Sequence, residues 1–185
     1  MQYRYISDLH LYDVDSVDWR PEFANLDVYA WHLLTNWNAV TDPDDIVIIN
    51  GDIGLCCKRT FDILNQLNGT KILVLGNHDI IWGQFIYSCG AFSGVHGAIN
   101  SNGIYIQHIP EKLDRDYTYF IHGHHHRYDM NGMLPALQQY ARDTCRLNCA
   151  ADLNNHRPCT LQELITNKEI LLDKYKDMGL LQEVN

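Results

Sequence analysis

Eight side chains able to bind a metal or move a proton recur in short polar clusters along the 185-residue chain: Asp8 and His10 in "SDLHLYD", Asp52 in "INGDIG", Asn77 and His78 in "LGNHD", His108 in "YIQHIP", and His124 and His126 in "FIHGHHHRYD". Carboxylates, imidazoles and one amide are a donor set for divalent transition metals. Eight groups exceed the needs of one ion. Two ions roughly 3.5 to 4 Å apart, sharing a carboxylate, make the arrangement of two-metal hydrolytic sites. In an extended segment alternate side chains share a face, so His124 and His126 can enter one site together while His125 turns away. His122 has the same parity one step back and is expected either to support the ligands from behind or in packing; His125 is expected to face solvent or to lie at the outer rim.

The clusters follow apolar runs. "YRYIS" ends at Asp8, "DIVIIN" at Gly51-Asp52, "KILVL" at Gly76 to Asp79, and "YTYFIH" at Gly123. Continuous β-branched runs read as strands buried on both faces. Residues 24–39 and 57–68 read as helices, the second with Phe61, Leu64 and Leu67 at helical spacing and Gly69 as its stop. Strand alternating with helix implies an α/β fold with a parallel sheet, in which ligands gather at the carboxyl ends of the strands. From 92 to 122 the pieces "FSGVH", "GIYIQH" and "YTYFIH" are shorter and richer in turn residues, which predicts a second sheet. A helical excursion is expected at about 130–143, a strand in "CRLNCAAD", and one or two terminal helices from Thr160, where Thr160 and Glu163 form a capping-box pattern. Residues 1–185 read as a single domain.

A net charge of −9 and a pI near 5.4 argue against a broad electrostatic footprint for nucleic acid or an anionic membrane. A phosphate-bearing substrate therefore needs a local source of attraction. No apolar run reaches the roughly 18 residues of a membrane span, and the start of the chain turns acidic too early for a signal peptide, so the expected location is cytoplasmic. The six cysteines are expected as reduced thiols. "CRLNC" with His156 and Cys159 matches no familiar zinc spacing. His32, His96 and His156 are expected in packing.

The ordered blocks Asp8-Leu9-His10, Gly51-Asp52, Gly76-Asn77-His78-Asp79, His108 and Gly123-His124-His125-His126 resemble the calcineurin-like metallophosphoesterase superfamily, whose pattern runs D-x-H, G-D, G-N-H-D/E, H, G-H-x-H. The resemblance spans residues 3–126 and continues through "LNCAADLNNHRPCTLQELI". It implies two packed β-sheets flanked by helices, a four-layer α-β-β-α sandwich. It also implies that Asp8, His10 and His126 hold one metal and Asn77, His108 and His124 the other, with Asp52 bridging. Two divalent ions carry a charge of 4+, which the two aspartates and a hydroxide reduce to about 1+, still attractive to a phosphate. Manganese or iron is expected, with zinc and nickel also suited to the ligands.

The implied activity is a phosphodiesterase acting on a small phosphate ester by in-line attack of a hydroxide held between the metals. His78 would be the general acid or transition-state stabiliser. The alternatives are a phosphomonoesterase on a small metabolite or phosphoprotein, and a non-catalytic metal-binding scaffold. Relatives that split a lipid-A precursor carry arginine in place of His78, and protein Ser/Thr phosphatases carry G-D-x-x-D-R-G, absent after Asp52. Long duplex nucleic acid is disfavoured by charge, and no protein partner is implied. Arg127 and Tyr128, directly after the ligands, are expected on the substrate side, whereas Arg59 and Arg157 read as ordinary surface residues.

Overall fold

Alternation of apolar side chains along each strand decides which layer each one meets. The computed structural model describes residues 1–18, 20–111, 116–126 and 134–181. In chain order the elements are β1 (Tyr3–Ile6), α1 (Leu26–Val40), β2 (Ile46–Asn50), α2 (Lys58–Leu64), β3 (Thr70–Val74), α3 (Gln84–Ser88), β4 (Gly94–His96), β5 (Ile99–Ser101), β6 (Ile104–Ile106), β7 (Tyr119–His122), α4 (Leu134–Arg142), β8 (Arg146–Asn148) and α5 (Leu161–Asp177). They form an α/β architecture of two four-stranded sheets, β1-β2-β3-β4 and β5-β6-β7-β8, flanked by helices. All pairings in the first sheet are parallel. In the second, β5 is antiparallel to β6 while β6, β7 and β8 run parallel.

On β2, Val47 and Ile49 pack with Leu33, Trp37 and Leu64 of the helical layer. Ile48, between them in sequence, turns to the other side and joins Val74, Ile106, Ile121 and Leu147 in the core between the sheets. Both faces of the strand are dry, which is why its sequence is continuously apolar. On the far face of the second sheet, His122 of β7 meets Tyr140 of α4, with ring centroids 5.8 Å apart. Leu137 and Tyr140 then pack with Tyr175 of α5.

The two sheets are tied together by hydrogen bonds as well as by the core. Asn50 Nδ2 donates to the carbonyls of Gln107 and Ile121, both at 3.2 Å. Ser7 N donates to Cys149 O at 3.0 Å, and Ala151 N returns a bond to Ser7 O at 3.0 Å. These bonds span the ends of β1, β2, β7 and β8, where the polar clusters lie.

Several expectations need correction. The piece at 92–96 forms β4 and joins the first sheet beside β3, with Leu73 opposite Val95; the second sheet begins only at β5. A three-residue strand carries too little pattern to name its partner, and tertiary packing decides. The 57–68 helix ends at Leu64, and Gly69, with φ of 86°, turns the chain into β3 rather than capping α2. The run after His78 forms a 3₁₀ turn over Asp79–Trp82 followed by α3. The C-terminal region is one helix, entered through the Thr160–Glu163 capping box. No described helix is long and apolar enough to cross a membrane.

His156 and His32 lie in an aromatic cluster with Phe23 and Tyr29. Burial, reinforced by nearby Arg20, lowers the pKa of His156 to about 4. The unfolded imidazole takes a proton below about 6.5 while the folded one stays neutral to about 4. Its contribution is thus intact above pH 6.5 and is lost as pH falls toward 4, at up to about 1.4 kcal/mol per pH unit. Replacing His156 by Asn, which tolerates its left-handed φ of 52°, is expected to flatten the dependence of unfolding free energy on pH between 6.5 and 4.5. Urea titrations at several pH values measure this; an unchanged slope would refute it.

Candidate metal centre

The first sheet delivers its ligands from the carboxyl ends of β1, β2 and β3: Asp8 and His10, Asp52, and Asn77. The second delivers His108 from the end of β6 and His124 and His126 from the end of β7. The backbone at these exits is unusual. Asp8, His10, Asp52 and His124 all adopt left-handed φ, between 43° and 67°, at a cost of order 1 kcal/mol each. Surrounding bonds hold them there. Asp8 N donates to Gly51 O at 2.9 Å and His10 N to Asp52 O at 3.0 Å. Buried Arg20 donates to Asp8 O at 2.7 Å, and Tyr29 Oη donates to Leu9 O at 2.8 Å.

Asp79 is the anchor beneath Asp52. Its carboxylate accepts the backbone amides of Asp52 at 2.8 Å, Ile53 at 3.0 Å and Gly76 at 2.8 Å. Burial nevertheless raises its pKa. The glycines of the motifs make room for the ligand carboxylates: a Cβ at Gly76 would lie 2.2 Å from Asp52 Oδ1, and one at Gly123 would lie 2.6 Å from Asp8 Oδ2.

Three groups result, Asp8–His10–His126, Asp52–His108–His124 and, at the edge, His10–Asp13–His78, each with ligand atoms within 4.8 Å of one another. The first two share a wall. His10 Nε2 is 3.8 Å from Asp52 Oδ2, and His108 Nε2 is 3.1 Å from Asp52 Oδ2 and 4.0 Å from Asp8 Oδ1. Asn77 Oδ1 lies 3.0 Å from His124 Nδ1. All seven residues expected as ligands are therefore in one place. His78 stands exposed at its edge, its ring 5.1 Å from that of His10 and its backbone N–H donating to Asp52 Oδ1 at 2.9 Å.

The imidazoles are turned by partners on their far sides. His10 Nδ1 lies 3.2 Å from Asp13 Oδ2, His108 Nδ1 donates to Asn50 O at 2.7 Å, and His126 Nδ1 lies 3.7 Å from the buried Asp152. With the proton on Nδ1, each ring directs the Nε2 lone pair toward Asp8 and Asp52. Lone pairs facing carboxylates repel unless a positive charge lies between them. A second layer of carboxylate or carbonyl behind each histidine is also how metal-binding imidazoles are oriented. The donor set therefore fits divalent cations.

Electrostatics point the same way. Burial favours a neutral His108, yet Asp52 and Asp8 outweigh it and push its pKa up to about 9. Burial likewise opposes ionisation of Asp52, and His108 more than compensates, lowering it to about 2. His10, where burial wins over Asp8, is lowered to about 4. The paired aspartates thus require compensating charge, and in the absence of a cation a histidine proton supplies it.

Other expected residues fare differently. Arg127 and Tyr128 lie outside the described residues, as does the first part of the 130–143 excursion, of which Leu134–Arg142 is the described helix. Arg59 is exposed, bound to Asp27 and stacked 4.2 Å from the Tyr12 ring centroid. Arg157 pairs with Glu163 at 2.9 Å. Strand parity does not orient the four histidines: the strand ends at His122, and the left-handed His124 redirects the chain. His122 points away from the centre toward α4, fully buried, and burial lowers its pKa to about 3. His125 is half-buried between the rings of His122 and His124 rather than solvent-facing. Asp13, Asp79, Asp152 and Arg20 act here without having been singled out in sequence. Only Asp79 carried a signal, as the last residue of the Gly76–Asp79 block.

No family model matches the chain. It is 28% identical over 170 residues to an uncharacterized protein of Methanocaldococcus jannaschii, MJ1445, across 86% of this chain and 87% of that one. It is similar in structure to AQ665 from Aquifex aeolicus, a protein of unknown function, with a TM-score of 0.65, 24% identity, and coverage of 93% of this chain and 97% of the other. These likenesses carry the architecture; the chemistry rests on the residues above.

Asp52→Asn is expected to weaken divalent-cation binding more than Asp152→Asn, because Asp52 faces both clusters whereas Asp152 only orients His126. Loss of such an outer partner typically costs about 10- to 100-fold in affinity. Calorimetric titration of chelator-treated protein with manganese measures both, and equal binding by wild type and Asp52→Asn would exclude this centre.

Proposed function

We propose that the chain is a calcineurin-like metallophosphoesterase, a phosphodiesterase that hydrolyses a small phosphate ester with two divalent cations. The observation that carries this reading is the shared wall: two three-residue clusters meet through Asp52 and Asp8, and His78 and Asn77 are exposed beside them. Asp8, His10 and His126 would hold one cation, Asn77, His108 and His124 the second, and Asp52 both. Manganese or iron is the expected pair, and zinc or nickel suits the same donors. Bound there, the cations supply Lewis-acid activation of water and neutralise phosphoryl oxygens.

The chain's own residues do the rest. Asp13, Asn50 and Asp152 keep the imidazoles turned inward. His78 is placed by its backbone bond to Asp52, so its ring stands at the rim, where it can give a proton to the departing oxygen. An exposed edge formed by Asn77 and His78 leaves the site open to a substrate, whereas a purely structural metal site is closed by its ligands. An acidic chain also favours a small ester over a long nucleic acid.

Chelator-treated protein reconstituted with manganese is expected to cleave bis-p-nitrophenyl phosphate faster than p-nitrophenyl phosphate. Preference for the monoester would replace the diesterase assignment with a phosphatase. Absence of turnover on both, with cations bound, would favour a metal-binding scaffold. His78→Ala is expected to retain both cations and lose roughly a hundred- to ten-thousand-fold in kcat, the usual worth of a positioned acid. Near-native turnover in that variant would remove His78 from the mechanism.

A further inference from the structure

Four large apolar side chains stand in solvent on the segments that follow the proposed ligands, and a fifth on the α3 helix beyond them. Val14 follows Asp13, Leu55 lies three residues after Asp52, and Ile80, Ile81 and Phe85 follow His78; their exposures are 70%, 50%, 72%, 81% and 52%. Single exposed apolar residues need no explanation, but a group at the mouth of a polar centre does.

The loops are fastened to one another. Within the 3₁₀ turn Asp79–Trp82 the two end residues are buried. Asp79 accepts the amides of Asp52 and Ile53, and Trp82 Nε1 donates to Gly54 O at 3.1 Å. The middle residues, Ile80 and Ile81, are thereby held outward beside the loop bearing Leu55. Leu55 N donates to Leu11 O at 2.8 Å, which brings the 11–14 loop alongside, and Phe85 is seated on Phe61 with ring centroids 5.3 Å apart. These contacts make the apolar edge a fixed surface next to His78.

Charge narrows what can lie on that edge. Arg59 is engaged by Asp27 and Tyr12, and Arg20 is buried with its guanidinium on the carbonyls of Asp8 and Leu9. Lys58, exposed at the start of α2, is paired with Asp62 at 2.7 Å, so these described cations are already engaged and what the edge offers a substituent beyond the phosphate is apolar contact. A polyanion would meet a chain of net charge −9 with no basic track to offset it.

Resting on the phosphoesterase reading, we infer that Leu55, Ile80 and Ile81 receive an ester group of the substrate, and that this group is bulky and apolar: an aryl or longer alkyl ester rather than a sugar or a methyl ester. The substrate class is then a phosphate ester of a hydrophobic alcohol or phenol.

The test compares methyl phosphate with hexyl phosphate as competitive inhibitors of manganese-dependent bis-p-nitrophenyl phosphate hydrolysis. The two share a head group, so their difference reads the apolar contact alone. Hexyl phosphate is expected to bind at least about tenfold more tightly, well within what several buried methylenes can supply. The double variant Ile80→Ser, Ile81→Ser alters only solvent-facing atoms; it is expected to bring the two inhibitors to within about threefold while leaving inhibition by methyl phosphate unchanged. Equal inhibition in the wild type, or a hexyl preference that survives the double substitution, would overturn the inference. Calorimetry with the same two esters on the manganese-loaded protein reads the ratio without turnover, so failure of the apolar edge is distinguishable from failure of the phosphoesterase reading.

Discussion

Two carboxylates facing one another in a nearly dry enclosure dominate this structure. Asp8 and Asp52 are almost inaccessible to solvent, and the nitrogens turned toward them come from rings whose other nitrogen is occupied by Asp13, Asn50 or Asp152. Burying even one unpaired charge is costly, and burying two like charges side by side compounds the cost. Hydrogen bonds offset part of that cost, from Ser7 Oγ and His124 N to the Asp8 carboxylate and from His78 N to Asp52 Oδ1, and positive charge in the same enclosure offsets more. In the protein alone the opposed shifts of His108 and His10 describe a proton drawn to the nitrogen nearest Asp52. A metal ion held by these His/Asp groups would answer the same demand with more charge.

Much of the remaining architecture can be understood as support for that enclosure. Left-handed conformations at Asp8, His10, Asp52 and His124 are unfavourable in isolation and persist because neighbouring bonds over-determine them. Asp79 fastens the β2 exit to the β3 exit through three amides, Arg20 and Tyr29 fix the β1 exit, and Asn50 together with the Ser7–Cys149 bonds fixes one sheet against the other. Ligands from both sheets can converge to within a few ångströms only because the sheets cannot slide. The inter-sheet core holds this scaffold together by apolar packing, while the polar bonds at its end set the register.

What could be read from residues alone divides along physical lines. Strands β1, β2 and β3 were legible because a strand buried on both faces leaves an unbroken apolar run, and the seven candidate positions that the fold brings together could be picked out because each follows an apolar run. The membership of β4 was not, since three residues carry no record of which sheet they join. His124 and His126 do reach the candidate centre and His122 is packed, but strand parity is not the reason and does not place His125: period-two alternation holds only while the chain stays extended, and it ends at His122, before the left-handed turn at His124. Asp13 and Asp152 were invisible because a carboxylate behind an imidazole is defined by distance in space, and nothing in the spacing along the chain distinguishes it from any surface aspartate.

The same division bears on how an acidic chain can attract an anion. Net charge acts over a Debye length, roughly 8 to 10 Å at physiological salt, so a charge of −9 spread over the surface opposes a polyanion along its whole length but would weigh little on a single phosphate at contact with two cations. On the phosphoesterase reading, selectivity for small esters would follow from scale: a compact positive centre would decide at short range what the diffuse negative surface rejects at long range. An apolar edge beside that centre would add nothing to the long-range repulsion, so neutral, hydrophobic substituents are the ones such a surface would accept.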